Sequence, residues 1–276
     1  MDKKKIRAVV LLPITAVLVF PLIMILSNSF MSEEEILMTY YADKELPNLV
    51  LIPQNVSFDQ YLKILVKETK YLSYFWNSVI ITSVILTGQV IIASMAAFGF
   101  TVYVFKGREK LFFLYVVVMM MPFQVTLVPN YIISSKLGLL NNWGALILPG
   151  IFSAFGVFLL RQFMSTIPRS YIESARLEGV NDFMIYIHIC LPLLKPGIAA
   201  LMLLLGVDNW NMVEQPLIFL KDSRLYPLSL ILSRINLQEV GIGFAASSIY
   251  MIPFLLLFLH KEQSLVTGIT STGVKE

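Results

Sequence analysis

Long runs without a charged residue constrain this 276-residue chain more than any other feature. Five such runs are evident, at residues 8–32, 71–105, 111–135, 137–160 and 240–260. A helix needs about 20 mostly apolar residues to cross a bilayer, so each run predicts a transmembrane helix. Because 57% of the residues are hydrophobic and only 14% are charged, a soluble globule and a disordered chain are both excluded.

A sixth span is predicted at residues 196–219, although its second half is polar. The apolar stretch ends at Val207, and Asp208, Asn209, Trp210, Asn211 and Glu214 follow it. We therefore expect an all-α polytopic membrane protein with six transmembrane helices. Its single domain, residues 1–276, would comprise a first helix at about 8–30, an extracellular loop at about 31–72, a five-helix core at about 73–262 and a cytoplasmic tail at 263–276.

The first apolar run is predicted to be a retained anchor rather than a cleaved signal peptide. It follows a basic start, but Pro13 and Pro21 interrupt it and no small-x-small cleavage site follows it. Within the outer loop, residues 58–66 have helical spacing and predict a short surface helix.

The loop charges predict the orientation of the spans. With the N-terminus inside, the inner segments hold thirteen basic and seven acidic residues, and the outer segments hold eight basic and eleven acidic residues. Short basic loops stay in the cytoplasm, so both termini are expected inside. The polar sixth span is needed for this asymmetry, because without it the basic loop around Arg169 and the tail would lie on opposite sides.

The sequence offers few residues for metal binding or redox chemistry. One cysteine, Cys190, cannot form an intramolecular disulfide, and with His188 and His260 it is too small a set for a closed metal site. We expect no metal, no cofactor and no nucleic-acid partner. The methionines before Pro122 are interpreted as adaptable packing beside a kink.

The inner loop at residues 165–195 is long for a connection between adjacent spans. Ser170 as N-cap and Glu173 three residues later predict a capping box, and Gly179 predicts the end of the helix. Asn181 and Asp182 predict the start of a second helix at 183–191, and Pro192 and Pro196 predict a kink on the way back to the membrane. A short helix of this kind is either a docking element or a helix resting on lipid headgroups.

One spacing in this loop resembles a family motif. Glu173-Ser174-Ala175, then Gly179, then Ile189-x-Leu191-Pro192 is similar to the EAA loop of ABC importer permeases, with serine at the second position. Weaker resemblances to carbohydrate-uptake permeases, on the side of the smaller maltose-type subunit, occur at residues 75–78, 105–108, 121–129, 136–144, 155–163, 210–218 and 267–275.

The resemblance implies the type I ABC importer fold and an uptake function for a sugar or oligosaccharide, in a bacterial plasma membrane. It also implies three kinds of partner: a second homologous permease, two copies of an ABC ATPase subunit and an extracellular solute-binding protein. The motif residues Glu173, Ser174, Ala175, Gly179, Ile189, Leu191 and Pro192 would form the ATPase-coupling loop. Alternatively, Glu173 caps its own helix. The resemblance further suggests that the tail from residue 265 contacts the ATPase subunits.

No catalytic residues are expected, and the chain has no P-loop, so ATP must be hydrolysed by a partner. Polar residues within spans are candidates for the substrate pathway, since a sugar needs hydroxyl partners and an aromatic face. These candidates are Asn209, Trp210, Asn211 and Gln124; Gln89 lies in another span, and amides of this kind can equally join helices.

Three alternatives remain open from the sequence. The cargo can be another solute, such as a polyol, a glycerol phosphodiester or a peptide-like nutrient. A membrane-embedded enzyme would need converging acids, histidines or metal ligands, which the spans lack. A purely structural anchor is disfavoured by the EAA spacing.

Overall fold

The computed structural model describes the backbone of residues 3–41, 50–236 and 239–273 and the side chains of residues 11–40, 50–236 and 239–260. Within these ranges the chain is helical, in agreement with the all-α prediction, and its extended pairing is an isolated bridge between Met31 and Val56. The α-helices are α1 Lys3–Asn28, α2 Glu33–Ile36, α3 Asp59–Leu62, α4 Lys70–Val102, α5 Arg108–Met119, α6 Phe123–Lys136, α7 Gly144–Ile151, α8 Ala154–Met164, α9 Arg169–Leu177, α10 Asp182–Ile185, α11 Leu191–Leu193, α12 Lys195–Trp210, α13 Glu214–Phe219, α14 Leu228–Leu232 and α15 Val240–Gly273.

Four of the described helical stretches are long and apolar enough to cross a membrane: Leu11–Asn28, Lys70–Val102, Gly144–Met164 and Val240–His260. Two bent helix pairs also qualify by length and composition. They are Arg108–Met119 with Phe123–Lys136, bent by 99°, and Asp182–Leu193 with Lys195–Trp210, bent by 70°. The predicted six spans therefore require that each bent pair crosses the membrane once.

The third predicted span is broken beside the methionine run. Helix α5 ends at Met119 and α6 begins at Phe123, so the predicted kink lies at Pro122. Met120 and Met121 are 76% and 46% exposed. The kink is therefore confirmed, but within this chain these two methionines are not packed in the interior.

The fourth span begins later than the uncharged run suggests. Residues 137–143 are not helical, and α7 starts at Gly144. Gly138 and Asn141 both adopt positive φ, at 67° and 60°. This left-handed conformation interrupts a right-handed helix, which is why the helix starts at Gly144 and not at residue 137, where the uncharged run begins.

The chain divides into two compact units. The first contains residues 1–76 and 230–253, and the second contains residues 77–229 and 254–276. In the first unit the outer loop packs on the end of α1: the Ser29 and Tyr61 hydroxyls lie 2.7 Å apart, and Lys63 pairs with Glu33 at 2.7 Å. The predicted surface helix is present as α3 and the π-helical turn Lys63–Lys67 that continues it.

The second unit contains the predicted inner loop and two apolar clusters. One cluster joins α4 to α5, α8, α9 and α12 around Leu160, Ile185 and Leu201, and the other joins α4 to α7 and α13 around Ile85 and Leu146. The residues predicted to form a tail continue α15 as far as Gly273, and residues 274–276 lie outside the described part of the chain.

Candidate functional site

The first helix of the inner loop, α9, begins earlier than predicted. Its N-cap is Pro168, and no side chain caps it. Ser170 consequently lies inside the first turn, so the predicted capping box with Glu173 is wrong. The helix starts from Pro168, which has the extended ψ of 130° that an N-cap residue adopts, and a proline N-cap has no backbone N–H to donate to a capping carboxylate. The Glu173 carboxylate is left exposed.

The end of α9 is a Schellman motif. The Val180 N–H donates to the Ala175 carbonyl oxygen, and the Gly179 N–H donates to the Arg176 carbonyl oxygen, both over 3.0 Å. Gly179 has a φ of +80°, as this motif requires. The predicted helix end is therefore confirmed. The chain then reverses into α10, where the Asn181 side chain accepts a hydrogen bond of 2.9 Å from the Met184 N–H as the predicted N-cap.

The turn between the two loop helices is fixed by charge. Arg176 Nε donates to Asp182 Oδ1 over 2.9 Å, and the Tyr103 hydroxyl donates to Asp182 Oδ2 over 2.8 Å. The Arg176 guanidinium and, secondarily, the Tyr103 hydroxyl hold the pKa of the Asp182 carboxyl below its usual value. Because Tyr103 directly follows α4, these bonds tie the loop to the end of that span.

Helix α9 has one face that packs on the core of its unit, called its inner face, and one exposed face, called its outer face. Ile172 and Ala175 are buried in the core of the unit. Glu173 and Ser174 are exposed on the other side, and Leu177 in the next turn is 90% exposed. Among the described residues, Glu173 forms no hydrogen bond or ion pair. The Arg176 guanidinium on the same helix interacts with it electrostatically. An exposed leucine beside an exposed carboxylate is an arrangement that a protein partner can cover.

The second half of the motif lies on the re-entering helix. Ile189 is half-buried against the core of the unit, Leu191 is half-buried and Pro192 is exposed. The 70° bend that follows lies between Pro192 and Pro196, where the kink was predicted. Ile189 and Leu191 thus contribute to packing behind the loop, while Glu173 and Ser174 face outward.

One ion pair at the inner end of the spans was not anticipated. Arg161 Nη2 lies 3.0 Å from both carboxylate oxygens of Glu109, and its guanidinium lies 3.6 Å from the centre of the Phe112 ring. Arg161 ends the apolar run of α8 and Glu109 precedes that of α5. Opposite charges at the inner ends of two runs were a usable signal for this contact.

In the predicted span at residues 196–219, the polar residues lie around the end of a helix. Helix α12 stops at Trp210 and α13 starts at Glu214, so the single helix predicted for 196–219 is wrong. Asn209 Nδ2 donates to the Leu205 carbonyl oxygen over 2.6 Å. Trp210 is 5% exposed and packs against Phe254, with 5.4 Å between ring centres. In this structure, its ring offers no open face to a sugar.

The other pathway candidates are exposed. Asn211 directly follows α12, and Gln124 lies in the first turn of α6. Asn211 and Gln124 are thus exposed, whereas Asn209 is half-buried and Trp210 is buried, so the four candidates differ in their access to a cargo. Among the described residues, no group of three or more histidine, cysteine or carboxylate side chains could hold a metal ion.

Comparison with known proteins gives consistent relatives. Residues 89–260 match the family described as binding-protein-dependent transport system inner membrane component. The chain is similar to the arabinooligosaccharides transport system permease protein of Halalkalibacterium halodurans, with 30% identity over 265 residues, 95% of this chain and 93% of the relative. It is also similar to the polygalacturonan/rhamnogalacturonan transport system permease protein of Bacillus subtilis, with 30% identity over 283 residues, 96% of this chain and 95% of the relative.

A solved structure has the same fold. It is a chain of a bacterial ABC transporter involved in the import of the acidic polysaccharide alginate. The TM-score is 0.81 at 21% identity, and the match covers 95% of this chain and 96% of that chain. The ABC importer permease fold expected from the EAA spacing is thereby confirmed.

Proposed function

The chain belongs to the family of binding-protein-dependent transport system inner membrane components, and we propose that the cargo it carries is a sugar or an oligosaccharide. It is a multi-pass subunit of a bacterial inner membrane, and it acts in transport rather than as an enzyme. The similarity to permeases for arabinooligosaccharides and for polygalacturonan/rhamnogalacturonan supports a saccharide cargo, since each extends over more than nine-tenths of both chains.

In this proposal the chain forms the translocation path together with a second, homologous permease. Two ATPase subunits hydrolyse ATP below the membrane, and an extracellular solute-binding protein delivers the cargo. The chain carries no P-loop of its own, so the energy has to be transmitted to it across a protein contact.

The outer face of α9 supports its assignment as that contact. The observation that carries the assignment is the exposed carboxylate of Glu173, which forms no hydrogen bond among the described residues, on a helix whose other face is anchored in the core through Ile172 and Ala175. The alternative role of Glu173, as a cap for its own helix, requires a bond that is absent at the start of α9. A basic side chain on the ATPase would complete a charge-assisted hydrogen bond with it.

The remaining motif residues have supporting roles in the proposal. The small side chain of Ser174 leaves room for a partner on the outer face of α9, and Gly179 allows the left-handed turn. Ile189 packs the re-entering helix against the core, and Leu191 and Pro192 lie just before the bend into the next span, so that a displacement of α9 is passed to that span. Of the pathway candidates, Asn211 and Gln124 have exposed side chains that can meet a sugar hydroxyl, whereas Asn209 and Trp210 support the helix end.

The deciding experiment compares two charge reversals on the same loop. Glu173→Lys places a positive charge on the outer face of α9, whereas Glu178→Lys makes the same change at the C-cap, rotated away from Glu173. Binding-protein-stimulated ATP hydrolysis of the reconstituted transporter should fall at least tenfold for Glu173→Lys and much less for Glu178→Lys. Losing a buried charged contact typically costs about 2–5 kcal/mol, which makes a tenfold loss a conservative expectation.

Two outcomes count against the proposal. If Glu173→Lys hydrolyses ATP and transports at the unmodified rate, α9 is not the coupling element. If radiolabelled sugars and oligosaccharides are not taken up by cells that contain the complete transporter, while a polyol or a glycerol phosphodiester is, the saccharide assignment fails and the coupling assignment stands.

A further inference from the structure

Helix α12 exposes a single stripe of side chains. Leu204, Val207, Asp208 and Asn211 are exposed, and their spacing of three, one and three residues places them on one helix face. The opposite face is buried and includes Leu203, Gly206 and Trp210, and one turn before Leu204 the face of the stripe is itself buried at Leu201. Helix α12 therefore presents one defined surface away from the packed interior of its unit, and this surface contains a carboxylate.

Asp208 has no partner in the part of the chain that the structure describes. No described side chain or backbone N–H forms a hydrogen bond or ion pair with it, and its side chain is exposed. The basic residues nearest to it in sequence are Lys195, at the start of α12, and Lys221, beyond α13. Its negative charge is therefore not neutralised within the helix that carries it.

If the span begins at Lys195, where the predicted cytoplasmic loop ends, Asp208 lies within the membrane. Thirteen residues separate it from Lys195, which corresponds to roughly 20 Å along a helix. The hydrocarbon core is about 30 Å thick, so a helix that leaves the cytoplasmic loop at Lys195 carries Asp208 into its outer half. Carboxylates at such depth face a water-filled cavity or a protein partner, because lipid offers them nothing to bind.

We propose that the Leu204–Asn211 stripe of α12 lines the water-filled translocation path of the assembled importer, and that Asp208 makes this part of the path electronegative. The inference rests on the proposed function, because a water-filled path exists only in a transporter. It also separates this chain from the polygalacturonan/rhamnogalacturonan permease to which it is similar: a negative wall repels a polyuronate and leaves a neutral saccharide unaffected, so the path suits uncharged oligosaccharides.

The test measures the local potential with charged thiol reagents on the complete transporter in nanodiscs, where both membrane faces are accessible. Leu204→Cys places a reporter one turn from Asp208, about 5–6 Å away on the same face. Cys190, the single cysteine of the chain, is buried and gives the baseline. The rates of modification by a cationic and by an anionic methanethiosulfonate are compared with and without Asp208→Asn.

We expect both reagents to react at Leu204→Cys, with the cationic reagent faster. Asp208→Asn should lower the ratio of the two rates about fivefold, since one charge at this distance acts in opposite directions on the two reagents and salt screens part of it. Leu203→Cys, on the buried face of the same helix, should react with neither reagent.

Two results overturn the inference. One is no reaction at Leu204→Cys while Ile52→Cys in the outer loop reacts, which means that the second permease or lipid covers the stripe. The other is a rate ratio that Asp208→Asn leaves unchanged. ATP hydrolysis stimulated by the loaded binding protein is measured on the same nanodiscs. A complex that is stimulated but not labelled rejects this inference alone, whereas an unmodified complex without stimulation rejects the proposed function.

The cargo consequence is tested by uptake into cells that contain the same binding protein throughout. Asp208→Asn should raise the uptake of a uronic-acid oligosaccharide, relative to that of the unmodified transporter, by severalfold more than the uptake of a neutral one. Equal changes for the two cargoes would overturn the assignment of neutral saccharides.

Discussion

Gln89 in α4 donates its side-chain amide to the carbonyl oxygen of Gly150 in α7 over 2.7 Å. Gly150 lies in the last turn of α7, where carbonyl groups lack a partner within their own helix. The Gln89 side chain, 3% exposed, supplies that partner from the neighbouring span. Its own Oε1 has none among the described residues. The amide thus joins two helices at the break between α7 and α8.

Removing this amide should destabilise the protein. Gln89→Leu leaves the Gly150 carbonyl without this donor in a part-buried site, and an unpaired buried acceptor typically costs about 1–3 kcal/mol. We expect a lower thermal midpoint for the purified complex in detergent. Thr87→Val removes an exposed hydroxyl that bonds to the Ser83 carbonyl oxygen of the same helix, and it should have little effect. Equal midpoints for both variants would show that the inter-helix bond contributes nothing.

Replacing either of the two glycines of α4 by alanine should change the stability of the protein, but in opposite directions. A Cβ at Gly88 would lie 2.6 Å from the Ile151 side chain, whereas a Cβ at Gly99 meets nothing within 4 Å. Gly88→Ala should therefore cost about 1–3 kcal/mol through overpacking. Gly99→Ala should stabilise by about 0.5–1 kcal/mol through helix propensity. Thermal midpoints measure both, and Ile151→Ala should restore part of the loss at Gly88. A loss of similar size at Gly99 would contradict the close crossing of α4 and α7.

Gly179 should tolerate residues according to their backbone preference and not their size. No described atom lies within 4 Å of a Cβ built there, so the constraint is the φ of +80°. Gly179→Val should distort the turn, at a cost of about 1–2 kcal/mol, whereas Gly179→Asn adopts the left-handed region readily. We expect stimulated ATP hydrolysis to be lost or strongly reduced for valine and largely retained for asparagine. Retention by both variants would mean that the turn geometry is irrelevant to coupling.

The sequence predicts best where local chemistry decides the structure. Gly179 and Asn181 were assigned correctly as helix end and helix start because each satisfies backbone groups within a few residues of itself. The apolar runs at α4 and α15 predicted helices because their length leaves no other way to cross a bilayer. In contrast, Ser170 was misassigned because Pro168 also starts a helix, and the two signals lie only two residues apart.

The remaining features depend on contacts between distant residues. The exposure of Asp208 follows from which face of α12 packs against its unit, and the uniform apolar composition of that helix does not reveal this. The pairing of Gln89 with Gly150 joins residues 61 positions apart. The sequence predicts that the Trp210 ring is an aromatic face for a sugar. Its packing against Phe254 and its 5% exposure, which depend on distant residues, show that the ring is buried.

Two exposed side chains allow a direct measurement of the orientation of the chain in the membrane. Leu177, at the end of α9, is 90% exposed, and Ile52, in the outer loop, is 80% exposed. The excess of basic residues on the segments that include α9 places Leu177 in the cytoplasm and Ile52 outside. In intact cells, a membrane-impermeant maleimide should therefore label Ile52→Cys and spare Leu177→Cys.

After lysis in detergent both variants should be labelled equally, which shows that protection of Leu177→Cys comes from the membrane. The unmodified chain is the control for Cys190, which is buried. The reverse pattern would place α9 outside the cell, away from ATP. In that case the loop could not contact an ATPase subunit, and the coupling role of Glu173 would have to be abandoned.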